Sequence, residues 1–243
     1  MIISVDSSFE SLIPHFSLAV IAATVKVFPK NELLRAVMER VGAEMSSSVD
    51  LSQIKENPAI LHARQAYKRL GKDPNRYRPA SEQLSRRVVL GKGLFYINSL
   101  VDLGNLFSLQ TGYPVGVFDA SSIRGDVLLR RGLESDVFEG IGRGLLNIDG
   151  LPVYEDGLSP FATPTSDSER TKVRLETTSA LVFINHYIPD TNLQKGPYLS
   201  PRLSQAADRM VDYLVKYAEA RDIVCNFLLP GQQSVAVDLP LSN

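Results

Sequence analysis

The stretch INSLVDLGNLFSLQTGYPVGVFD, residues 97–119, decides how this chain is organised. Its first half is apolar around most of a helical circumference, which predicts a buried helix ending at Gly112. Its second half predicts a buried strand. The helix nevertheless carries Asn98, Asp102 and Asn105 on one stripe. Because unpaired polar groups are costly in an apolar core, these side chains either form a polar network with the preceding segment or line a pocket.

The rest of the chain mixes strands and helices without a regular repeat. Apolar runs rich in β-branched residues predict strands at 1–6, 16–27, 113–119, 125–132, 151–157, 180–188 and 234–239. Amphipathic spacing predicts further helices at 29–45, 57–71, 80–93 and 200–220. Because this order lacks a steady strand–helix–strand rhythm, it indicates an α+β fold with a mixed, mainly antiparallel sheet and flanking helices.

The 243 residues are 44% hydrophobic, which is enough for one large core. No segment has the composition of a flexible linker, so the sequence predicts a single domain over 1–243. Within it, 1–56 supplies the N-terminal strands and a helix, 57–190 forms the central unit, and 191–243 adds a helix and a strand.

The net charge is only −1, but the charge is unevenly distributed. Residues 64–92 contain nine basic and two acidic side chains, a local charge of +7 against −8 for the remainder. A cationic face of this size attracts phosphate backbones, and Tyr67 and Tyr77 could stack on unpaired bases. The alternative is that these residues form an ordinary solvated helix face.

Other features exclude several kinds of site. The lone Cys225 cannot form an internal disulfide and is expected to be a small buried apolar residue. His62 and His186 are expected to be surface or hydrogen-bonded histidines, and EGIGRGLL, residues 139–146, has turn rather than phosphate-loop spacing. The sequence predicts no metal and no cofactor. It has no signal-peptide pattern and no apolar run long enough to cross a bilayer, so we expect a cytoplasmic protein.

A set of spaced motifs is more specific than any of these features. They include Tyr77-Arg78-Pro79, Ser81-Glu82, Arg86-Arg87, Val101-Asp102, Pro114-Val115-Gly116 and Phe118-Asp119, and they continue through GDVLLRRG, LPVYEDG and DSERTK. Over about 60–190 this pattern resembles the B3/B4 domain of the bacterial phenylalanyl-tRNA synthetase β subunit, and free-standing B3/B4-like proteins most closely.

The resemblance implies a compact α+β domain that binds the aminoacylated 3′ end of tRNA, with hydrolysis of mischarged tRNA as its activity. The candidate ligand-binding residues are Asn98, Asp102, Asn105, Asp119, Thr171 and Lys172. Either Asp102 or Asp119 would hold the α-amine, Thr171 and Lys172 would donate to the oxyanion, and the two asparagines would hold a water. The candidate nucleic-acid-binding residues are Arg76, Tyr77, Arg78, Arg86, Arg87 and Lys92.

The sequence also departs from the synthetase pattern. The synthetase segment PLHAFD carries a pocket histidine, whereas PVGVFD places Gly116 there. The synthetase glycine-rich segment is replaced by FATPTSDSERTK, and ALVFINHYI lacks the synthetase's pocket glutamate. The catalytic residues therefore cannot be assigned. Three hypotheses follow: a deacylase acting in trans, a tRNA- or RNA-binding module without hydrolysis, and a binder of a free amino acid or small amine.

Overall fold

The computed structural model describes residues 1–189 and 197–240, so the expected boundary between 190 and 191 lies outside the described residues. The described helices are α1 (Ser7–Leu12), α2 (Glu32–Ser48), α3 (Pro58–Arg69), α4 (Ala80–Val89), α5 (Ser99–Thr111) and α6 (Pro201–Ala218). The described strands are β1 (Ile2–Val5), β2 (Ser17–Thr24), β3 (Val115–Asp119), β4 (Val127–Arg131), β5 (Glu139–Gly140), β6 (Gly144–Leu145), β7 (Pro152–Glu155), β8 (Pro160–Thr163), β9 (Ser166–Asp167), β10 (Ser179–His186), β11 (Arg221–Leu228) and β12 (Ser234–Ala236).

The strands form two main sheets and a short hairpin. The first sheet has the order β12-β1-β4-β7-β8-β9, the second has the order β11-β2-β10-β3, and β5 pairs with β6. All neighbouring strands are antiparallel except β1 and β4, which run parallel. The predicted α+β class with a mainly antiparallel sheet is therefore confirmed.

The two central strands of the second sheet are apolar on both faces. Alternate residues of β2, such as Val20, pack with Phe183 of β10 in the core between the two sheets. The intervening residues, such as Ile21, pack with Val182 in a second core beneath the helices. Because successive side chains of a strand point to opposite faces, a strand buried on both faces has a nearly continuous apolar sequence. This explains the uninterrupted runs in SLAVIAAT and SALVFINH.

Helices α2, α4, α5 and α6 cover the outer face of the second sheet, while α3 contributes Ala63 and Ala66 to the core between the sheets. Asn57 caps α3 as predicted, since its side chain accepts from the backbone N–H of Ala59 at 3.0 Å. Gly112 ends α5 with φ of 80°. A Cβ atom on Gly112 would lie 2.2 Å from the Asn57 side chain, so the end of α5 packs directly against the start of α3.

Some predicted bounds were wrong. Helix α2 begins at Glu32 with Asn31 as its cap, not at Pro29, because the Asn31 side chain accepts from the backbone N–H of Leu34. Strand β11 was not predicted. It follows α6 directly, and the reversal uses positive φ at Glu219 and Asp222 rather than at a glycine, so no sequence signal marks it.

Candidate functional site

Helix α4, the turn before it and the loop after it surround a cavity of about 480 Å³. Arg86 and Arg87 come from the last turn of α4, Arg78 from the turn before it, and Lys92 from the following loop. The wall is completed across the cavity by Asn105 of α5 and Arg143 of the β5–β6 hairpin. Five basic side chains therefore line this cavity, and no Asp or Glu among the described residues does so.

A second cavity of about 330 Å³ adjoins the first and also contains Arg76 and Tyr77 in its wall. The two cavities share Arg78, Gln83, Arg143 and Thr165. The Gln83 amide donates to the carbonyl of Arg78 at 2.7 Å and accepts from Arg143. We call these two cavities and their lining residues the cationic groove. All six predicted nucleic-acid-binding side chains line the groove.

Two groove residues were missed by the sequence analysis. Arg143 lies in EGIGRGLL, where a turn was predicted without a role; the turn itself is present as the β5–β6 hairpin. Phe95 follows α4, and its ring lies 3.7 Å from the Arg87 guanidinium carbon. The exposed apolar run Phe95-Tyr96-Ile97 directly after a basic segment is the signal that could have identified this aromatic residue.

Some basic residues of the segment stabilise the fold instead. Glu82 is only 3% exposed, and Arg64 donates to its carboxylate at 2.8 Å. Arg78 lies 3.5 Å from the same carboxylate, so it forms an ion pair with Glu82 and also lines the groove. A buried carboxylate needs such partners because its desolvation is costly. Not all nine basic side chains of the segment are therefore available to a ligand.

The two tyrosines of the basic segment are not equivalent. Tyr67 is 0% exposed and its hydroxyl is hydrogen-bonded to Thr165 at 2.9 Å, so the expectation that it stacks on a base is wrong. Its position on the buried face of α3 is the reason. Tyr77 lines the second cavity, and the Lys72 ammonium lies 3.9 Å from its ring centroid. Lys72 also donates to Asn147 at 2.9 Å, and burial lowers the pKa of its ammonium group.

The polar stripe of α5 divides into two parts. Asn98 is the N-terminal cap of α5 and accepts from the backbone N–H of Val101 at 3.0 Å. Asp102 accepts from the backbone N–H of Ile97 at 2.8 Å, so its partner is a local amide and not a basic side chain of 76–92, as was expected. Burial raises the pKa of Asp102, and the backbone hydrogen bonds partly oppose that rise. Asn105 lines the groove.

The other three candidate ligand-binding residues lie away from the groove walls. Both carboxylate oxygens of Asp119 accept hydrogen bonds, one from Ser121 and the other from the Thr177 hydroxyl at 2.9 Å. Thr171 is 0% exposed, and its hydroxyl has no hydrogen-bond partner among the described residues. Lys172 forms an ion pair with Glu169. The structure therefore does not bring the six predicted ligand-binding residues together in one pocket.

The position of Gly116 is closed to any side chain. A Cβ atom there would lie 2.3 Å from the ring of Phe118. That ring packs edge-on against Phe161 and Phe183, with centroids 5.3 and 5.2 Å apart. A histidine at this position would require the aromatic core to rearrange.

Asp167 is a half-buried carboxylate in β9, two residues beyond Thr165 of the groove wall. Desolvation by burial raises the pKa of Asp167 to about 7. No ion pair or side-chain hydrogen bond to Asp167 is formed by the described residues. A carboxyl group with a pKa near neutrality can exchange a proton at physiological pH.

The histidines and the cysteine were only partly predicted. His186 is buried and hydrogen-bonded to the Tyr113 hydroxyl at 3.1 Å, as expected of a hydrogen-bonded histidine. His62 is half-buried, and desolvation lowers its pKa. The expectation of a buried Cys225 was wrong, because this residue lies exposed on the edge strand β11.

The family of this chain follows from comparison with known proteins. The family described as B3/4 domain matches residues 62–219, which is more than half of the chain. The chain therefore belongs to the B3/4 domain family, and the resemblance found in its motifs is confirmed.

The curated relatives are much longer proteins. The chain is 39% identical over 73 residues to the phenylalanine–tRNA ligase beta subunit of Bartonella quintana (strain Toulouse), covering 29% of this chain and 9% of that protein. It is 29% identical over 128 residues to the same subunit of Bartonella henselae, covering 51% of this chain and 16% of that protein. The alignments thus span less than a fifth of these relatives.

Among solved structures, the chain is similar to an N-terminal fragment of the phenylalanyl-tRNA synthetase beta subunit from Pyrococcus horikoshii. The TM-score is 0.45 and the sequence identity 12%, with 91% of this chain and 49% of that chain covered.

Two kinds of feature are absent from the residues that the structure describes. No group of three or more His, Cys, Asp or Glu side chains could hold a metal ion. None of the described helices is long and apolar enough to cross a membrane.

Proposed function

We propose that this protein binds tRNA through the cationic groove. The observation that carries the proposal is the composition of the groove wall, in which several basic side chains surround connected cavities and no described Asp or Glu lines them. Such a wall attracts phosphate groups, and the release of counterions from the nucleic acid drives binding.

Four groove cations are available for phosphates. Arg76, Arg86, Arg87 and Lys92 form no hydrogen bond or ion pair with other described side chains. Since a cation without an ion pair or hydrogen bond loses neither when it binds a phosphate, these four are the principal anchors. Membership of the B3/4 domain family supports tRNA as the nucleic acid, because the curated relatives are phenylalanine–tRNA ligase subunits.

The groove fits a free amino acid or small amine less well. An ammonium group needs acceptor oxygens or a carboxylate, and the groove wall presents mainly guanidinium and ammonium groups. The two acids first suggested as amine ligands, Asp102 and Asp119, are already hydrogen-bonded within the fold. These contacts support nucleic-acid binding over the small-amine hypothesis.

The experiment is a tRNA gel-retardation series at low salt. Wild-type protein is compared with Arg86→Glu and with Arg221→Glu, which makes the same charge change at an exposed position of β11 outside the groove. We expect Arg86→Glu to weaken retardation by about tenfold, as expected from the loss of a phosphate contact, and Arg221→Glu to resemble wild type. Absence of retardation of wild type at every salt concentration would refute the proposal, as would equal weakening by both variants.

Hydrolysis of mischarged tRNA in trans is a second candidate, because it is the activity that the family resemblance implies. Asp167 has a pKa of about 7, but it lines neither cavity of the groove, so no general base is assigned to this reaction. The closed position at Gly116 argues against the synthetase's own histidine-dependent arrangement. The proposed hydrolysis therefore does not use a side chain at position 116.

A panel of mischarged tRNAs tests this second candidate. We expect wild-type protein to release the amino acid from at least one member, and Arg86→Glu, which weakens tRNA binding, to release it more slowly. If wild type releases no amino acid from any member of the panel but still retards tRNA on the gel, the protein binds tRNA without hydrolysing mischarged tRNA.

A further inference from the structure

Arg87 has an unsatisfied donor inside the protein. Its Nε atom is buried and has no hydrogen-bond partner among the described residues. Buried N–H groups are nearly always hydrogen-bonded, because an unmade bond costs free energy that water can no longer supply. Arg87 also lines the cationic groove, so an acceptor that enters the groove can approach its guanidinium group.

The surroundings of Arg87 determine which acceptor fits. Arg86, Lys92 and Arg143 line the same cavity, and their positive charges repel one another and Arg87. A neutral acceptor would not offset this repulsion. A phosphate oxygen carries negative charge and matches the planar donor geometry of a guanidinium group. Arg87 is therefore best satisfied by a phosphate.

Phe95 supplies a second recognition element beside it. The residue is 52% exposed, although its ring packs on the Arg87 guanidinium and lines the cavity. An exposed aromatic ring within a cationic groove is the arrangement on which unpaired bases stack in proteins that bind single strands. Bases inside a duplex cannot use it, because both of their faces already stack on neighbouring base pairs.

We propose that Arg87 and Phe95 form a subsite for one unpaired nucleotide, in which Arg87 binds a phosphate oxygen and Phe95 stacks on the base. The subsite rests on the proposed tRNA binding and adds a preference for unpaired over paired nucleotides. Because Phe95 helps to cover the guanidinium, the ring turns aside as the phosphate enters. Its contact with Arg87 is then exchanged for a contact with the base.

The chain contains a matched control for this pair. Tyr96 packs on Arg35 with the guanidinium carbon 4.1 Å from its ring centroid, and it does not line either cavity of the groove. Phe95→Leu and Tyr96→Leu therefore each remove one partly exposed aromatic ring from an arginine, and only the first removes it from the groove. Arg87→Lys keeps the charge while removing the planar group and its Nε donor.

The test measures fluorescence anisotropy with a labelled single-stranded RNA pentanucleotide and with a fully paired RNA hairpin. We expect Phe95→Leu to weaken binding of the pentanucleotide by about tenfold, the usual loss for one base stack, with less than a twofold change for the hairpin. Arg87→Lys should weaken pentanucleotide binding by about fivefold, and Tyr96→Leu should match wild type on both probes. Pentanucleotides with and without a 5′ phosphate are also compared. If wild type binds the 5′-phosphorylated one more tightly, Arg87 binds the terminal phosphate; if the affinities are equal, Arg87 binds an internal phosphate.

The failures of the two proposals can be told apart. If wild type binds both probes but Phe95→Leu binds the pentanucleotide equally well, the subsite is wrong and groove binding stands. The subsite is also wrong if Phe95→Leu weakens both probes equally. If wild type binds neither probe and does not retard tRNA, the proposed function itself is wrong.

Discussion

From the sequence, the basic residues around α4 and the polar residues of α5 could each either bind a ligand or stabilise the fold. The structure gives a different outcome for the two regions. Most of the cations around α4 have no acidic partner among the described residues and line the cationic groove. Asn98 and Asp102 are hydrogen-bonded to backbone amides at the start of α5. Polar residues in the first turn of a helix have ready local donors. The excess cations in and after the last turn of α4 have no acidic partner in the described part of the chain.

Charge reversal of the groove is expected to produce the largest effect. The double variant Arg86→Glu/Arg87→Glu should weaken tRNA binding by at least about 100-fold, because two phosphate anchors become repulsive. Its melting temperature should stay close to that of wild type, since neither side chain forms an ion pair with the described residues. Filter binding and thermal melting measure the two effects. A large loss of stability would show that these cations support the fold.

At the junction of α5 with α3, a substitution should lower stability and leave tRNA affinity unchanged, the reverse of the groove variant. Gly112→Ala forces a Cβ atom into the left-handed region and against Asn57, so it should lower the free energy of unfolding by about 2 kcal/mol. Urea denaturation measures this change. Affinity for tRNA, measured well below the melting temperature, should be unchanged; a parallel loss of affinity would link the α5 end to the groove.

Removal of the α5 cap should have a smaller effect. Asn98→Ala leaves the Val101 amide without its side-chain acceptor and should cost about 1 kcal/mol of stability. Its tRNA affinity should equal that of wild type. If Asn98→Ala instead weakens tRNA binding with unchanged stability, the polar stripe of α5 does line a ligand site. The contrast between the α4 cations and the α5 polar residues would then be wrong.

The pH dependence of stability should report on Asp167. Its pKa is about 7 in the folded protein against an ordinary value of 3.8 for an aspartate, so the folded state holds this proton more tightly than the unfolded state. The contribution of Asp167 to stability is therefore greatest below pH 4, declines as the pH rises toward 7, and is constant above that. Asp167→Asn should remove this decline in urea midpoints measured between pH 4 and 8, and an unchanged profile would contradict the raised pKa.

The features that were predictable depend on local pattern. The buried face of α6, from Leu203 to Tyr217, and the cap at Asn57 follow from residue spacing alone, and the structure confirms them. The run Phe95-Tyr96-Ile97 was a signal for Phe95, but the contribution of Arg143 to the groove could not be predicted in this way. Arg143 lies on a hairpin that meets α4 only through tertiary packing.

The central claim concerns counterion release from tRNA by the groove, and a salt titration tests it directly. Four unpaired groove cations predict that the logarithm of the wild-type association constant falls with the logarithm of salt concentration with a slope of about −3 to −4. The Arg86→Glu/Arg87→Glu variant should give a slope shallower by about 2. Binding that is independent of salt, or equal slopes for the two proteins, would contradict the account.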